Sequence, residues 1–310
     1  MISLVVPVFN SASGLLGTFT EIESVMSASG LAYELILVDD GSRDGSWETI
    51  LAICAKSPQA RGIRLMRNFG QHNALLAGIR AARGDTVVTL DDDLQHPPSE
   101  VPKLLSALAP SVDVVYGVPK HLQHGLLRNA ASWVTKLVLQ RAMGADTARR
   151  ISAFRVFRTQ LREGFADFRG PFVSLDVLLT WSTSRFSHLV VRHDDRKFGT
   201  SNYTVYKLLV HTLNMVTGFS TLPLQFASFL GFAAMIVGLG ILSYVLFTYF
   251  VLGWRVPGFT FLASSIALFS GVQLFSIGMI GEYLARMHFR VMDKPPYAVK
   301  DTQEGSHENP

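Results

Sequence analysis

The most restrictive feature of this sequence is a long stretch without charged residues in its C-terminal half. From Leu208 to Trp254 there is no Asp, Glu, Lys or Arg, and Val256 to Gly281 is a second uncharged run. A helix needs about 20 apolar residues to cross the core of a bilayer. Pro223 divides the first run, so we predict one membrane helix from Leu224 to about Gly253 and another from Val256 to Gly281. A buried helical hairpin in a large soluble core is the alternative.

Charges beside the two runs predict how they are oriented. Lys207 precedes the first span and three basic residues follow the second, against Arg255 alone between them. Because basic residues concentrate on the cytoplasmic side, both termini are expected in the cytoplasm. Before Pro223, Lys207, His211 and Asn214 fall at helical spacing. This narrow polar stripe predicts an amphipathic helix along the membrane surface.

Composition and the first residues indicate a membrane-bound protein whose soluble part stays in the cytoplasm. Hydrophobic residues make up 48% of the 310 and charged residues only 17%. The opening sequence MISLVVPVFN lacks the basic region of a signal peptide. A net charge of +4 without a dense block of Lys and Arg argues against a nucleic-acid partner. Cys54 is the only cysteine, so it forms no intrachain disulfide and is expected in the core.

The N-terminal half alternates strand-like and helix-like segments. Five short runs rich in Val, Leu and Ile are separated mostly by helix-length intervals. This pattern predicts an α/β domain with a mostly parallel sheet and helices on both faces. The predicted strands are Leu4–Val8, Leu35–Val38, Ile63–Met66, Thr86–Leu90 and Val112–Tyr116.

Polar motifs follow four of the predicted strands. They are PVFN ending at Asn10, DDGS at 39–42, RNFGQ at 67–71 and DDD at 91–93. In parallel sheets of this kind, ligands bind beyond the carboxyl ends of the strands. Four polar strand ends on one edge are difficult to explain by packing alone. We therefore predict the active site at this edge.

The acidic motif suits a divalent metal. Asp91, Asp93 and Gln95 alternate along an extended segment, so their side chains project to one side. Such oxygen ligands suit Mg²⁺ or Mn²⁺, which complete their shells with water and substrate phosphates. An acidic turn is the alternative, and the position after a buried-type strand favours the metal. Likewise, Asp39–Ser42 is either a plain turn or a site for a nucleotide base and ribose, and its position favours the second.

Several motifs together resemble one enzyme family. VVPVFN, VDDGS, RNFGQHNALLAG, LDDDLQHPP and RKFGTSNY occur in this order, followed by the two apolar runs and GEYLAR. From Ile2 to about Val299 the chain resembles the polyprenyl-phosphate glycosyltransferases. That family includes dolichol-phosphate mannose synthase, the bactoprenol glucosyltransferases and the undecaprenyl-phosphate formamido-deoxy-arabinose transferases. NFGQHNALLAG and GFSTLPLQ are most similar to the last of these.

The resemblance implies a fold and a reaction. The fold is of the glycosyltransferase-A type, and one sugar passes with inversion from a nucleotide-sugar to polyprenyl (undecaprenyl) phosphate. The default donor is a uridine diphosphate sugar, and the sugar itself cannot be read from the chain. Because a lipid phosphate is already anionic at neutral pH, it needs no strong base. Catalysis then depends on positioning and charge stabilisation.

The resemblance also implies roles for individual residues. Donor and nucleotide binding is assigned to Pro7, Phe9, Asn10, Asp39, Asp40, Asn68, Gly70 and Asp92. The metal ligands are Asp91, Asp93 and Gln95, and the catalytic residues are Asp93, Arg128 and Arg196. Phosphate and acceptor binding is assigned to Lys120, Arg128, Ser132, Arg155, Arg192, Arg196, Ser201 and Tyr203. For Arg192, a surface ion pair with Asp194 or Asp195 is the alternative.

The chain departs from the family pattern in three places. Ser11 stands where the family usually has a glutamate. The contact that this glutamate makes with the ribose is therefore not expected in this chain. His96 replaces an acidic or amide residue and is expected to form a supporting hydrogen bond rather than to bind the metal. Pro119 and Leu122 stand where arginines often follow ValTyrGly. The residues available to compensate are Lys120, Arg128 and Lys136.

These inferences together predict an integral protein of the inner membrane. Its parts are a cytoplasmic catalytic domain over 1–203, an interfacial helix over 204–222, a membrane hairpin over 223–285 and a cytoplasmic tail over 286–310. The tail after Lys300 is polar and expected to be disordered. Whether the protein forms a homo-oligomer is left open.

Three other functions are also considered. A processive polysaccharide synthase would carry a GlnxxArgTrp motif, whereas LeuLeuThr precedes Trp181. A transferase for a non-phosphate acceptor would use a carboxylate base, from Asp91–Asp93 or from Asp176. A non-catalytic membrane scaffold is favoured by the missing arginines and opposed by the intact acidic motif. Nucleotide binding without turnover would distinguish the scaffold from an enzyme.

Overall fold

The described part of the chain divides into two compact units. The computed structural model describes residues 1–119, 151–194, 221–251 and 258–306. The first unit comprises residues 1–212 together with 293–310, and the second comprises residues 213–292.

The first unit is built on one sheet, with eight strands among the described residues. The strands are β1 Ile2–Val8, β2 Tyr33–Asp39, β3 Ala60–Leu65, β4 Thr86–Thr89, β5 Val114–Pro119, β6 Arg155–Arg158, β7 Phe186–Val191 and β8 Val299–Glu304. Their order across the sheet is β7-β5-β6-β4-β1-β2-β3-β8. Only β6 and β8 run antiparallel to their neighbours, so the other six strands end at the same edge.

Helices cover both faces of the sheet. They are α1 Ala12–Ser29, α2 Ser46–Lys56, α3 Gln71–Ala81, α4 Val101–Ser106 and α5 Leu175–Ser182. Leu4 and Val6 of β1 share a core cluster with Leu15 of α1. Val5 contacts Gly78 of α3 instead. Because alternate residues of a strand face opposite sides, β1 is buried on both faces, which explains its unbroken apolar sequence.

The strands predicted from the sequence are present, and the mostly parallel sheet with helices on both faces is confirmed. The sequence does not predict β6, β7 or β8. The first of these lies between β4 and β5 and pairs antiparallel with both. It has only four residues, RVFR, so it presents no apolar run long enough to be recognised.

The polar tail contains an edge strand that ends at Glu304. The expectation that the chain is disordered after Lys300 is therefore wrong as far as Glu304. β8 pairs antiparallel with β3. The Glu304 carboxylate accepts hydrogen bonds from Arg61 Nε at 3.1 Å and from Arg83 Nη2 at 2.9 Å. Ladder hydrogen bonds and ion pairs hold this strand, and composition predicts neither of them. Residues 307–310 lie outside the described residues.

The second unit contains two long helices among its described residues, α6 Leu222–Phe250 and α7 Phe259–Val291. Both are long and apolar enough to cross a membrane. Their large apolar side chains are mostly exposed, for example Phe229 at 70% and Leu274 at 68%. A hairpin in the core of a soluble protein would bury such side chains. The structure therefore favours membrane helices over that alternative.

The second membrane helix continues beyond its apolar stretch. The predicted span ends at Gly281, whereas α7 runs on to Val291 through charged residues. Glu282 and Arg286 form an ion pair at 3.0 Å one helical turn apart, which supports this continuation. Of the predicted interfacial helix, only residues 221 and 222 are described. The orientation of the spans stays a prediction.

Gly78 provides a test of the packing of α3 on the sheet. A Cβ at this position would clash with Val5 Cγ1 and lie 3.1 Å from Val38 Cγ2. We expect Gly78→Ala to lower the free energy of unfolding by about 1–3 kcal/mol, because overpacking outweighs the roughly 1 kcal/mol that alanine gains in a helix. The measurement is denaturant unfolding of the detergent-solubilised protein.

Gly17→Ala is the control for this test. Gly17 is exposed on α1, and a Cβ there would have no atom within 4 Å. The substitution should stabilise the protein by up to about 1 kcal/mol. Effects of the same sign at both glycines would contradict the packing described for α3.

Candidate active site

The structure brings the four polar motifs together at one edge of the sheet. They follow the adjacent strands β4, β1, β2 and β3, which are parallel and end at this edge. The acidic motif therefore lies beside the PVFN segment, and the DDGS and RNFGQ segments follow in order.

Asp40 fixes the loop after β3 to the end of β2. It is 2% exposed, and its two carboxylate oxygens accept hydrogen bonds from the N–H groups of Phe69 at 2.7 Å and Gly70 at 2.8 Å. Burial raises the pKa of Asp40 to about 6, although the two hydrogen bonds lower it. The side chain therefore positions Asn68 and Gly70, a role that the sequence does not reveal.

Gly41 allows the loops after β2 and β3 to touch. Its φ is +70°, and a Cβ would lie 2.5 Å from the carbonyl carbon of Arg67 and 2.6 Å from the nitrogen of Asn68. Only glycine tolerates both this backbone conformation and this approach. The contact places the exposed residues Arg67 and Asn68 beside the end of β2.

Asp39 closes the turn that was considered as the alternative, and it also leaves one buried oxygen without a hydrogen bond. Its Oδ1 accepts a hydrogen bond from Ser42 N–H at 2.9 Å. Its Oδ2 lies 3.4 Å from Arg64 Nε and has no hydrogen-bond partner among the described residues. Apart from this ion pair, the buried oxygen makes no hydrogen bond with the described residues, so it is a candidate contact for a ligand N–H or O–H group.

Asn10 joins the ends of β1 and β2. Its N–H donates to Ser42 Oγ at 3.0 Å, and its Oδ1 accepts from Arg43 N–H at 2.9 Å. Its φ of +52° is left-handed, which asparagine tolerates better than most residues. Phe9 is 40% exposed beside it, whereas Pro7 is buried within β1. Phe9 and Asn10 therefore lie at the surface of the site, and Pro7 belongs to the strand.

Helices α1 and α3 hold the acidic loop in place. Gln71 Nε2 donates to Asp91 Oδ1 at 2.6 Å, and Thr18 Oγ1 donates to the main-chain oxygen of Asp92 at 2.9 Å. Burial raises the pKa of the Asp92 carboxyl, although a hydrogen bond from the Ser11 side chain lowers it. Ser11, at the position of the family glutamate, therefore supports the acidic loop.

The predicted metal ligands Asp91, Asp93 and Gln95 provide two carboxylates and an amide on one loop. The segment was expected to be extended, but it turns at Leu94, whose φ is +56°, so simple alternation does not set the directions of these side chains. Asp93 is 8% exposed, and its Oδ1 accepts a hydrogen bond from Gln95 N–H at 3.1 Å. Within the described ranges, no three His, Cys, Asp or Glu side chains are grouped so that they could hold a metal ion. The donor set fits Mg²⁺ or Mn²⁺, because these ions accept oxygen ligands and share their shells with substrate phosphates.

His96 packs behind the acidic loop. Its ring stacks on Phe154 with centroids 5.4 Å apart, and the ring of His193 lies 4.8 Å away. Burial, together with His193, lowers the pKa of His96 to about 4, and Asp93 opposes this shift. Its Nε2 has no hydrogen-bond partner among the described residues, so the supporting hydrogen bond expected from the sequence is not found at that atom.

Arg155 lies inside the first unit and not at the surface of the site. It is 2% exposed, and its guanidinium binds Asp176 Oδ1, which also accepts from Tyr116 Oη at 2.9 Å. Burial raises the pKa of Tyr116, so the tyrosine remains a donor. The structure therefore does not present Arg155 to a phosphate. Asp176 is committed to two buried donors, which makes it unsuited as a catalytic base.

Arg192 is exposed after β7 and makes the surface ion pair considered as the alternative. Its Nη2 donates to Asp194 Oδ2 at 2.9 Å. Exposed pairs contribute only about 0–1 kcal/mol, so a phosphate can replace Asp194 at little cost. Asp194 N–H also donates to Gln95 O at 2.8 Å, which joins this segment to the acidic loop.

Pro119, where the family often has an arginine, is the last residue of β5. The remaining site residues named from the sequence lie outside the described ranges. They are Lys120, Leu122, Arg128, Ser132, Lys136, Asp195, Arg196, Ser201 and Tyr203.

Thr18 and Asp44 support the site and were not predicted from the sequence. Gln71 lies in the predicted RNFGQ motif, although its hydrogen bond to Asp91 was not expected. Thr18 also fixes the acidic loop, and no pattern distinguishes it from other polar residues on helices. Asp44 accepts from Ala12 N–H at 3.0 Å and from Ser46 Oγ at 2.6 Å, so one carboxylate serves the starts of α1 and α2. Asp44 lies one residue before Gly45, the N-cap of α2, so the usual capping signal does not identify it, and its contact with α1 depends on the sheet.

The contact at Gly41 predicts how the site responds to a single methyl group. We expect Gly41→Ala to weaken binding of the predicted ligand, uridine diphosphate with Mn²⁺, by at least about tenfold, because the new Cβ separates the two loops. Gly45→Ala is the matched control, since Gly45 also has a positive φ of +87° but its Cβ would meet only Glu48 Oε2 at 3.9 Å. Calorimetric titration of both variants measures the difference, and equal affinities would contradict the prediction.

His96 predicts a loss of stability in acid. Its pKa in the folded protein is about 4, below the ordinary value of 6.5, so the unfolded chain binds the extra proton between these values. Stability therefore falls as the pH drops through this range, by about 2 kcal/mol between pH 7 and pH 5. Unfolding in metal-free buffer measures this, and His96→Phe should remove that part of the pH dependence. An unchanged slope in the variant would contradict the prediction.

Comparison with known sequences identifies the family. The model of glycosyl transferase family 2 matches residues 3–165. The undecaprenyl-phosphate 4-deoxy-4-formamido-L-arabinose transferases of Yersinia enterocolitica and Pseudomonas aeruginosa are 32% and 33% identical over 303 residues. The matches cover 96% and 97% of this chain, and 92% and 89% of those proteins.

A solved structure shows the same fold. Glucosyl-3-phosphoglycerate synthase from Mycobacterium tuberculosis, in complex with Mn²⁺, uridine diphosphate and glucosyl-3-phosphoglycerate, matches with a TM-score of 0.52 at 18% identity. The match covers 70% of this chain and 77% of that one. At this identity the similarity shows the glycosyltransferase-A type fold alone. The matched domain and the full-length relatives place the chain in glycosyl transferase family 2, among the polyprenyl-phosphate glycosyltransferases.

Proposed function

We propose that this protein transfers a single sugar, with inversion, from a nucleotide-diphosphate sugar to polyprenyl phosphate. Uridine diphosphate is the default nucleotide and undecaprenyl phosphate the default acceptor, as the names of the relatives suggest. The observation that carries the proposal is the position of the acidic loop and the DDGS loop on either side of the end of β1, in a chain with two helices of membrane-spanning length.

The donor is expected to lie along the ends of β1, β2 and β3. Asp39 Oδ2 is buried without a hydrogen bond from the described residues, so it suits an N–H group of a base. Phe9, Asn10 and Asn68 are exposed at the same edge. Asp40 contributes by holding the loop after β3 in place.

Asp91, Asp93 and Gln95 would hold a divalent metal, Mg²⁺ or Mn²⁺. When bound, the metal supplies positive charge to the diphosphate leaving group. Gln71 keeps Asp91 oriented through its hydrogen bond at 2.6 Å. Metal dependence is part of the proposal and is supported by the donor set on this loop.

The acceptor phosphate is its own nucleophile and needs no strong base. Arg192 can turn from Asp194 to a phosphate, and arginine suits bidentate recognition of phosphate oxygens. The other proposed phosphate-binding residues are Lys120, Arg128, Ser132, Arg196, Ser201 and Tyr203. Arg155 is not included, because it is buried against Asp176.

The proposed setting is the cytoplasmic face of the inner membrane. Residues 1–203 form the catalytic domain, 204–222 an interfacial helix, 223–285 the membrane hairpin and 286–310 a cytoplasmic tail. The excess of basic residues outside the spans supports this orientation. The two termini would then both be cytoplasmic.

A transferase with a non-phosphate acceptor is less well supported. It would need a carboxylate base, and Asp176 is held by Arg155 and Tyr116. A non-catalytic scaffold would bind nucleotide without turnover.

An acceptor assay tests the proposal. Purified protein in detergent is incubated with undecaprenyl phosphate, Mg²⁺ or Mn²⁺, and a panel of uridine and guanosine diphosphate sugars. Mass spectrometry should detect a polyprenyl monophosphate sugar with one donor. Nucleotide binding without any product would reject the proposal and leave a transferase with a different acceptor or the scaffold.

Asp93 provides a test of the metal site. We expect Asp93→Asn to reduce transfer by at least about 100-fold, because a neutral amide replaces a charged ligand. Asp167→Asn, at an exposed position in the first unit, is the control and should keep full activity. Initial rates at saturating Mn²⁺ and equal thermal unfolding temperatures are compared. Full activity of the Asp93 variant would reject the metal assignment.

A further inference from the structure

The chain that follows the second membrane helix docks beside the loop after β3. This C-terminal segment, Asp293–Ser306, begins two residues after α7 ends at Val291. Met66 N–H donates to Ala298 O at 2.9 Å, just before the loop that Asp40 holds. The segment thus reaches the edge of the proposed donor site.

Asn73 makes the contact that joins this segment to helix α3. It is 5% exposed, and its Nδ2 donates to the main-chain oxygens of Pro296 and Pro171. The distance to Pro171 O is 3.3 Å. One amide group therefore satisfies two carbonyls from loops that are far apart in the sequence.

The first turn of α3 contacts the proposed site in two further places. Gln71, two residues before Asn73, donates to Asp91 Oδ1 at 2.6 Å in the acidic loop. Gly70, one residue earlier, donates its N–H to Asp40. A displacement of this turn would therefore move both the nucleotide loop and a proposed metal ligand.

We propose that Asn73 is a positioning residue for donor binding, through which the docked C-terminal segment holds the first turn of α3 in its binding geometry. The inference deepens the proposed function and rests on its donor site. Donor affinity then depends on the segment that leaves the membrane helix, although no residue of that segment needs to contact the donor.

The energetics of the buried amide support this role. Removing the Asn73 side chain leaves the oxygens of Pro296 and Pro171 without this donor. Pro296 is buried, and an unsatisfied buried carbonyl costs more than a typical hydrogen bond gains, so the C-terminal segment and the helix turn should rearrange. Asn73→Asp is more disruptive than Asn73→Ala, because it places an acceptor against two acceptors.

The first experiment compares Asn73→Ala with a matched control. Thr159→Val removes another buried hydrogen bond from a side chain to a main-chain oxygen, Thr159 Oγ1 to Gly84 O at 2.6 Å, at the opposite edge of the sheet. We expect Asn73→Ala to raise the KM for nucleotide-sugar and the Kd for uridine diphosphate with Mn²⁺ about tenfold. The KM for lipid phosphate should change by less than about twofold.

Thermal unfolding separates positioning from general destabilisation. Both variants should lose stability, but only Asn73→Ala should lose donor affinity. Unchanged donor affinity in Asn73→Ala, or an equal loss in Thr159→Val, would overturn the inference. If the wild-type protein transfers no sugar, the proposed function fails, while the Kd for uridine diphosphate still tests the inference.

The single cysteine allows a second test without any substitution. Cys54 is fully buried, as the sequence predicts, and its main-chain oxygen accepts from Ser306 N–H at 3.1 Å at the end of the C-terminal segment. Because the Cys54 side chain is buried, alkylation requires local opening, and burial also raises the pKa of the thiol to about 11. If docking and donor binding are coupled, saturating uridine diphosphate and Mn²⁺ should slow alkylation of Cys54 several-fold. An unchanged rate would contradict the coupling.

Discussion

A buried carboxylate organises the edge of the sheet on which the candidate site is built. Parallel strands have no ladder hydrogen bonds beyond their ends, so the loops after β2 and β3 need another connection. Asp40 provides it by accepting the N–H groups of Phe69 and Gly70. Gly41 allows the required approach. The raised pKa of Asp40 reflects the free-energy cost of burying its charge. The hydrogen bonds that fix the loop offset part of this cost.

The predictable part of the fold is the part in which burial alone defines the strands. β1 to β5 are covered on both faces for most of their length, so they appear in the sequence as apolar runs. β6 carries arginine at both ends, and every residue of β8 is exposed. Those strands are held by their neighbours and by ion pairs such as Arg61 with Glu304. Partners of this kind are distant in sequence, so composition and periodicity do not reveal them.

The same distinction applies to the site. Its location was predictable, because polar residues at the ends of parallel strands converge. The role of each side chain could not be predicted from the sequence. Asp39 and Asp40 are neighbours of the same type, yet one closes its own turn while the other binds the next loop. Arg155 was expected at a phosphate, but it is buried against Asp176. Asp176 lies on a helix that was not predicted from the sequence, so this contact could not be predicted either.

The position of β8 has a consequence for how the protein is made. This edge strand is encoded after both membrane helices, yet it belongs to the sheet that carries the candidate site. Since domains fold as the chain emerges from the ribosome, the sheet stays incomplete until α6 and α7 have been synthesised. The catalytic unit is therefore completed only after its own membrane anchor has been made.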